Sequence, residues 1–241
     1  MTSRLRLLPL IPILILASAC ATTQQEPRTA EQRWESLLES RRAFEGARGL
    51  SKVTLVQQNR RRLDVTFQLD PRGRLELSVI SPFGTRVGTI FLENGELIVV
   101  NRPARLYWQG RVDDLDDLLP LGGLQVDGVG FLLVGLPPEA TGWSTSVPAD
   151  GFLQARRGDR RLLIHPDGIA SAEFGNPLAV KARLNLPSHP PTKISILDAA
   201  EAETAIVEHD QIELESVTVE RPSIEAGFRK TNNWLEVISS R

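Results

Sequence analysis

Residues 63–79, with the sequence LDVTFQLDPRGRLELSV, decide the fold class, because apolar and polar side chains alternate on both sides of a short turn. The apolar positions are Leu63, Val65, Phe67 and Leu69 before the turn and Leu75, Leu77 and Val79 after it. A two-residue period is typical of half-buried β-strands. The intervening Asp70-Pro71-Arg72-Gly73 is short enough for a hairpin. The stretch therefore predicts two antiparallel strands with one apolar face.

The same period recurs on both sides of this hairpin. Strands are predicted from residue 50 onward, over residues 86–92 and over residues 96–101, and the last two are joined at Glu93-Asn94-Gly95. An Asn-Gly pair is a strong hairpin signal. Further strands are predicted over residues 152–155, 161–165, 170–174, 178–186, 193–197, 205–207, 211–219 and 233–238. The sheet is therefore expected to be antiparallel and to extend through both halves of the chain.

Three segments have helical spacing. A helix is expected from Thr29 to about residue 45, because Thr29 and Gln32 have the spacing of a capping box. Two shorter helices are predicted over residues 112–119 and 128–136. Many antiparallel strands with few helices favour a single curved sheet that forms an unclosed (half) β-barrel with a helical lid. No linker divides the chain, so one mainly β domain is expected over residues 29–241.

The first 28 residues have a different pattern. Arg4 and Arg6 precede an apolar run over residues 7–19, and the run is too short for a membrane-spanning helix, which needs roughly 20 residues. Leu16-Ala17-Ser18-Ala19 then precedes Cys20, the single cysteine, and this order resembles the lipobox of bacterial lipoproteins. The resemblance implies a signal peptide over residues 1–19, acyl chains on Cys20 and a flexible tether over residues 20–28.

The charge balance excludes some partners. Removal of residues 1–19 leaves 26 basic and 30 acidic residues, whereas nucleic-acid binding needs a clustered positive surface. The same balance predicts no purely electrostatic hold on anionic lipid, so we expect membrane attachment through apolar groups and the lipid on Cys20. Ala21 stands where many Gram-negative lipoproteins retained at the inner membrane have aspartate. That resemblance implies the outer membrane, with the domain facing the periplasm.

The residues that could support catalysis are few and scattered. His165, His189 and His209 are far apart and lack metal-ligand spacing. No nucleophile elbow or phosphate-binding glycine loop occurs in the sequence. Four acids over residues 113–117 lack the twelve-residue calcium loop pattern, and a solvated helix start explains them. We therefore expect no enzyme activity, no cofactor and no metal.

One long segment resembles a known family. The motifs are Ile80-Ser81-Pro82-Phe83-Gly84-Thr85, Asn94-Gly95, Pro120-Leu121 and Phe131-Leu132-Leu133-Val134-Gly135-Leu136-Pro137. They resemble the LolB family, outer-membrane lipoproteins that receive other lipoproteins from the periplasmic carrier LolA and insert them into the membrane. The resemblance covers about residues 63–137 and continues more weakly to the end of the chain. It implies a half-barrel whose helical lid encloses an apolar cavity for the acyl chains of the cargo.

This resemblance implies candidate binding residues. The cavity candidates on the strands are Leu75, Leu77, Val79, Ile90, Leu92, Ile98 and Val100. The lid candidates are Leu115, Leu118, Leu119, Phe131, Leu132 and Val134. Each of these residues has an alternative interpretation as ordinary hydrophobic core. The partners implied are lipoprotein acyl chains and a LolA-type periplasmic carrier.

The turn at Ser81-Pro82-Phe83-Gly84 is a more specific signal. Proline and glycine flank a tight turn, and a turn exposes the side chain that it carries. Phe83 is therefore expected to project into solvent. An apolar side chain exposed at the tip of a turn usually marks a site of contact with lipid or a partner. The matching Pro-Leu-Gly turn of the LolB family carries a protruding apolar residue, which implies that Pro82, Phe83 and Gly84 form a membrane or acyl-transfer loop. The alternative is that Phe83 folds back onto the sheet edge.

Three functions remain open from the sequence. The first is a lipid-handling receptor or chaperone of the LolB kind. The second is a structural or assembly lipoprotein that grips a protein partner at the outer membrane. The third is a sensor of lipidated or misfolded envelope proteins. An apolar hollow of several hundred Å³ beneath the lid would favour the first and third, and a filled interior would favour the second.

Overall fold

The computed structural model describes residues 29–56, 60–111, 128–148, 152–175, 180–187, 190–233 and 236–237. Helix α1 spans Ala30–Arg42 and helix α2 spans Val129–Leu133. The strands are β1 Ala47–Leu55, β2 Arg61–Leu69, β3 Leu75–Ile80, β4 Arg86–Glu93, β5 Glu96–Asn101, β6 Leu106–Arg111, β7 Ser144–Ser146, β8 Leu153–Arg157, β9 Arg160–His165, β10 Gly168–Phe174, β11 Val180–Leu184, β12 Lys193–Asp198, β13 Glu203–Leu214 and β14 Arg229–Lys230. The chain is therefore mainly β, as predicted.

All 14 strands belong to one sheet, in the order β14-β6-β5-β4-β3-β2-β1-β13-β12-β11-β10-β9-β8-β7. Neighbouring strands are antiparallel except β14, which pairs with β6 in parallel. The end strands β14 and β7 do not pair with each other, so the curved sheet does not close into a barrel. The predicted fold class, an unclosed half-barrel with helices on one face, is confirmed.

Two predicted hairpins owe their geometry to specific turn residues. At the β2–β3 turn the buried Asp70 accepts backbone hydrogen bonds from Arg72 and Arg74 at 2.9 and 3.0 Å, and it pairs with the Arg74 guanidinium. At the β4–β5 turn Asn94 and Gly95 have φ values of 50° and 73°. Two positive φ values match the right-handed twist of the flanking strands. Both hairpins predicted from the sequence are present.

The two halves of the sheet meet at the β1–β13 pair. Its register runs from Ala47 opposite Leu214 to Leu55 opposite Ala205, with an irregularity between Leu50 and Ser51. Strands predicted separately over residues 205–207 and 211–219 are one continuous strand, β13. The sequence pattern breaks in its middle because exposed polar residues, among them Asp210, occupy the irregular part of the pair.

Helices α1 and α2 cover one face of the sheet, here called the inner face. The capping box at the start of α1 is present, since Thr29 Oγ1 accepts from the Gln32 backbone and Gln32 Oε1 accepts from the Thr29 backbone. Trp34 and Leu37 bury the inner side of α1. Helix α2 is shorter than the predicted 128–136, because the chain turns at Gly135, whose φ is 71°. The helix predicted over residues 112–119 lies outside the described residues.

The C-terminal segment differs from the prediction. Residues 215–219 leave the sheet, because Val217 and Val219 pack on the outer face instead of continuing β13. This outer-face cluster also contains Phe91, Ile98, Val100, Tyr107, Ile224 and Phe228. The chain then pairs with the edge of β6 as β14, and Val237 returns to the inner face. The strand predicted over residues 233–238 is wrong, since residues 236–237 are helical.

Candidate functional site

Part of the inner face is filled by side chains from the helices. Phe131 is 1% exposed, and the Phe44 ring meets it edge-on at 5.5 Å. The Arg41 guanidinium lies 3.4 Å from the centre of the same ring, a cation–π contact. Gly130 permits this packing, because a methyl group there would lie 2.8 Å from Leu69 Cδ1. Here the inner face forms ordinary core.

A second part of the inner face is less covered. It comprises five apolar side chains on β1, β2 and β3, here called the Val65 patch: Val53, Leu55, Leu63, Val65 and Val79. The register places them on one face, since Val65 is opposite Val79 and Val53 is opposite Leu63. Val65 is buried, whereas the other four keep part of their surface accessible. The patch ends beside the β3–β4 turn, because Val79 is two residues before Ser81.

A polar pair borders this patch. His209 on β13 and Ser51 on β1 face each other, with Nδ1 and Oγ 2.8 Å apart. Burial lowers the pKa of His209 to about 4, so the imidazole is neutral at pH 7. Its ring packs edge-on against Phe67 at 5.6 Å. Among the described contacts, His209 Nε2 is buried without a hydrogen-bond partner.

The β3–β4 turn holds Phe83 away from the protein. Its side chain is 92% exposed, so the alternative in which it folds back onto the sheet edge is wrong. The turn is internally bonded: the Ser81 amide donates to the Thr85 carbonyl at 2.8 Å, and the two hydroxyls lie 2.7 Å apart. Gly84 completes it with a φ of 78°. A hydrogen-bonded turn thus presents an aromatic ring to solvent.

The structure separates the predicted cavity residues into two groups. Leu75, Leu77, Val79, Ile90 and Leu92 share the inner face, as the register shows. The other two predicted strand residues are on the opposite face: Phe91 faces Ile98 and Thr89 faces Val100 across β4 and β5. Their assignment to the inner face was wrong, because β4 and β5 contain continuous apolar runs in which both faces are buried. The inner-face residues of β5 are Leu97 and Val99.

The predicted lid residues have different outcomes. Phe131, Leu132 and Val134 are buried in the main inner-face cluster. Leu115, Leu118 and Leu119 lie outside the described residues, as does Cys20. No helix in the described part of the chain is long and apolar enough to cross a bilayer.

Two open surface grooves lie among the described residues, and only the first is lined mainly by polar surface. One, of about 360 Å³, is lined by Glu93, Asn94, Glu96, Gln109, Gly110, Arg111 and Lys230. The other, of about 390 Å³, is lined by Arg48, Gly49, Leu50, Thr66, Phe67, Gln68, Gln211 and Glu213. Neither contains a member of the Val65 patch. The Val65 patch is the candidate lipid site because it adjoins the turn that carries Phe83.

Sequence comparisons give no relatives, whereas structural comparison does. No protein-family model matches the chain, and no curated protein sequence matches it. A LolA superfamily protein from Nitrosomonas europaea superposes with a TM-score of 0.50 at 13% identity, over 79% of this chain and 95% of that protein. The chain has a LolA-like fold. A DUF1329 family protein from Desulfovibrio piger also superposes on this chain, with a TM-score of 0.53 at 6% identity over 79% of this chain and 95% of that protein.

Proposed function

We propose that this chain is a membrane-anchored lipoprotein that binds the acyl chains of other lipoproteins and helps to receive or insert them at the outer membrane. The observation that carries the proposal is the position of Phe83, 92% exposed at the end of a strand pair whose inner face bears the half-covered Val65 patch. The Phe83 ring projects from a turn held by internal hydrogen bonds, so it would contact the bilayer before the rest of the domain does. The patch behind it offers a surface along which a hydrocarbon tail can move.

The Phe83 ring is suited to a transient membrane contact. A phenylalanine side chain buries about 150–250 Å² when it enters an apolar phase, which at about 25 cal/mol per Å² is worth about 4–6 kcal/mol before losses. This free energy is too small to anchor a protein permanently. It is large enough to orient a tethered domain so that the β3–β4 turn meets the bilayer.

The proposed anchor is the lipid on Cys20, which precedes the described residues. Two or three acyl chains at about 0.8 kcal/mol per buried methylene hold a protein stably on a membrane. Under this proposal the domain faces the periplasm and takes cargo from a LolA-type carrier, as the fold similarity and the sequence resemblance to LolB suggest. The role is binding and transfer, without covalent chemistry, cofactor or metal.

The experiment is a transfer assay with two variants at one position. A lipoprotein bound to its LolA-type carrier is mixed with the full-length lipidated protein and vesicles, and its appearance in the vesicles is measured. Phe83→Glu should lower transfer at least tenfold, because a charge cannot enter the bilayer, whereas Phe83→Leu should retain it. Equal transfer by the two variants would remove Phe83 from the mechanism.

A second function has its own supporting observation. The inner face beneath α1 and α2 is packed with buried side chains, as expected for an assembly lipoprotein that grips a protein partner. A sensor of lipidated or misfolded envelope proteins would share the apolar patch with the first proposal. Retention of a partner protein by a variant that has lost acyl-chain binding would favour the assembly role.

A further inference from the structure

The turns that flank Phe83 in the sheet are rich in arginine. The β1–β2 turn leads into Arg60, Arg61 and Arg62, and the β5–β6 turn ends with Arg105. In an antiparallel meander these turns lie at the same end of the sheet as the β3–β4 turn, one on each side of it. Adjacent strands are about 4.8 Å apart, so each flanking turn is about 10 Å from the Phe83 turn. An arginine side chain spans most of that distance.

These four arginines, here called the arginine collar, are available for a ligand. All four are exposed, and among the described residues none has an ion-pair or hydrogen-bond partner for its guanidinium. Two further arginines at this end are already paired: Arg86 lies 3.0 Å from Glu76, and Arg102 lies 2.5 Å from Glu225.

Acids are also present at this end of the sheet, but Asp198, Glu201 and Glu203 lie on the β12–β13 turn, on the far side of the β1–β2 turn from Phe83, and Glu201 pairs with Lys181 and Arg183. Glu76 and Glu225 are neutralised by their arginine partners. Asp64 is exposed but lies three strand positions beyond Arg61, on β2. The two turns that flank Phe83 therefore carry exposed positive charge, although the whole chain has a net charge of −2. The expectation from overall charge, that anionic lipid has no electrostatic hold, does not apply to this surface.

We propose that the arginine collar binds the phosphate groups of anionic phospholipid while Phe83 inserts between the lipids. Guanidinium groups are suited to this because they donate two parallel hydrogen bonds to phosphate oxygens and remain charged at every physiological pH. The collar surrounds the ring at the depth of the headgroups when the ring enters the acyl region. The inference rests on the proposed function and specifies its partner: a bilayer containing anionic glycerophospholipid.

The effect of the collar follows from the usual contribution of basic residues near an anionic surface. Each arginine raises the ratio of inserted to free tip about fivefold, so three of them contribute about 100-fold. Because the interaction is electrostatic, it weakens as salt shortens the screening length from about 8 Å toward 3 Å. The collar should not increase insertion of Phe83 into neutral vesicles.

The test uses the full-length lipidated protein with an environment-sensitive dye attached through Pro82→Cys, which leaves the neighbouring Phe83 ring in place. The protein is anchored in vesicles of phosphatidylcholine alone or with about 30% phosphatidylglycerol, and the dye reports entry into the bilayer. The collar variant is R60Q/R61Q/R62Q. The control variant, R72Q/R156Q/K193Q, removes three positive charges from exposed side chains that form no ion pair in the described part of the chain and lie away from the β3–β4 turn. Protein without the Pro82→Cys change gives the background, and thermal melting verifies that both variants fold.

The expected result is insertion into anionic vesicles that falls about 100-fold in the collar variant and is unchanged in the control variant. Equal insertion into neutral and anionic vesicles would overturn the collar and leave the Phe83 proposal standing. An equal loss in both variants would also overturn it, because overall charge would then be responsible. A dye that stays in water on every vesicle would contradict both proposals.

Discussion

Ser51 Oγ and His209 Nδ1 lie 2.8 Å apart across β1 and β13, the strand pair that joins the two halves of the half-barrel. The contact is on the inner face, beside Val65. A neutral imidazole at this position makes the junction between the halves sensitive to acid.

The first prediction concerns the stability of this junction. Burial lowers the pKa of His209 from 6.5 to about 4 in the folded protein, so the unfolded chain binds a proton at a higher pH than the folded chain does. The contribution of His209 to stability should therefore be constant above pH 6.5 and fall between pH 6.5 and 4 by about 2 kcal/mol, allowing for partial solvent exposure. Urea unfolding as a function of pH measures it. His209→Gln should reduce this slope, and an unchanged slope would assign the pH dependence to other groups.

The second prediction separates two phenylalanines that the sequence alone treats alike. Phe131→Ala should lower the free energy of unfolding by about 3–5 kcal/mol, because it leaves a cavity between Phe44 and Arg41. Phe83→Ala should change it by less than about 0.5 kcal/mol, since the ring contacts water. Chemical denaturation of both variants gives the comparison. A large loss of stability in Phe83→Ala would mean that its ring packs on the protein.

The third prediction concerns two glycines on the inner face. A methyl group at Gly49 would lie 2.4 Å from both the Gln211 carbonyl oxygen and the Phe67 ring. At Gly88 the nearest atom would be 3.5 Å away, an ordinary contact. Gly49→Ala should therefore destabilise the protein by about 3 kcal/mol and Gly88→Ala by less than about 1 kcal/mol. Equal melting temperatures would show that the β1–β13 junction adapts to the added volume.

The sequence predicts the local structure well where one face is buried. Residues 63–79 alternate because their inner face carries apolar side chains and their outer face carries polar ones, and Asp70 and Asn94-Gly95 mark the hairpins through their turn chemistry. The alternation fails in β4 and β5, where Phe91 and Ile98 are covered by the C-terminal segment. Nothing local to β5 indicates that residues more than a hundred positions later will bury its outer face.

The candidate site was predictable in part. The exposure of Phe83 follows from the turn residues beside it. The Val65 patch and the arginine collar require strand register and sheet order, because their members come from separate turns and strands. The net charge of the chain gives no indication of the collar, because acids elsewhere in the sequence, such as Glu208 and Glu213, offset the positive charge of its arginines.

The most direct test of acyl-chain binding compares two neighbouring positions on β2. A photoreactive phenylalanine analogue replaces Leu63, in the Val65 patch, or Thr66, which lies on the outer face one residue beyond Val65. Each protein is mixed with an acylated lipoprotein and illuminated, and adducts to the acyl chain are identified by mass spectrometry. The account predicts an acyl-chain adduct from position 63 and none from position 66. Equal labelling at both positions, or no adduct at position 63, would contradict it.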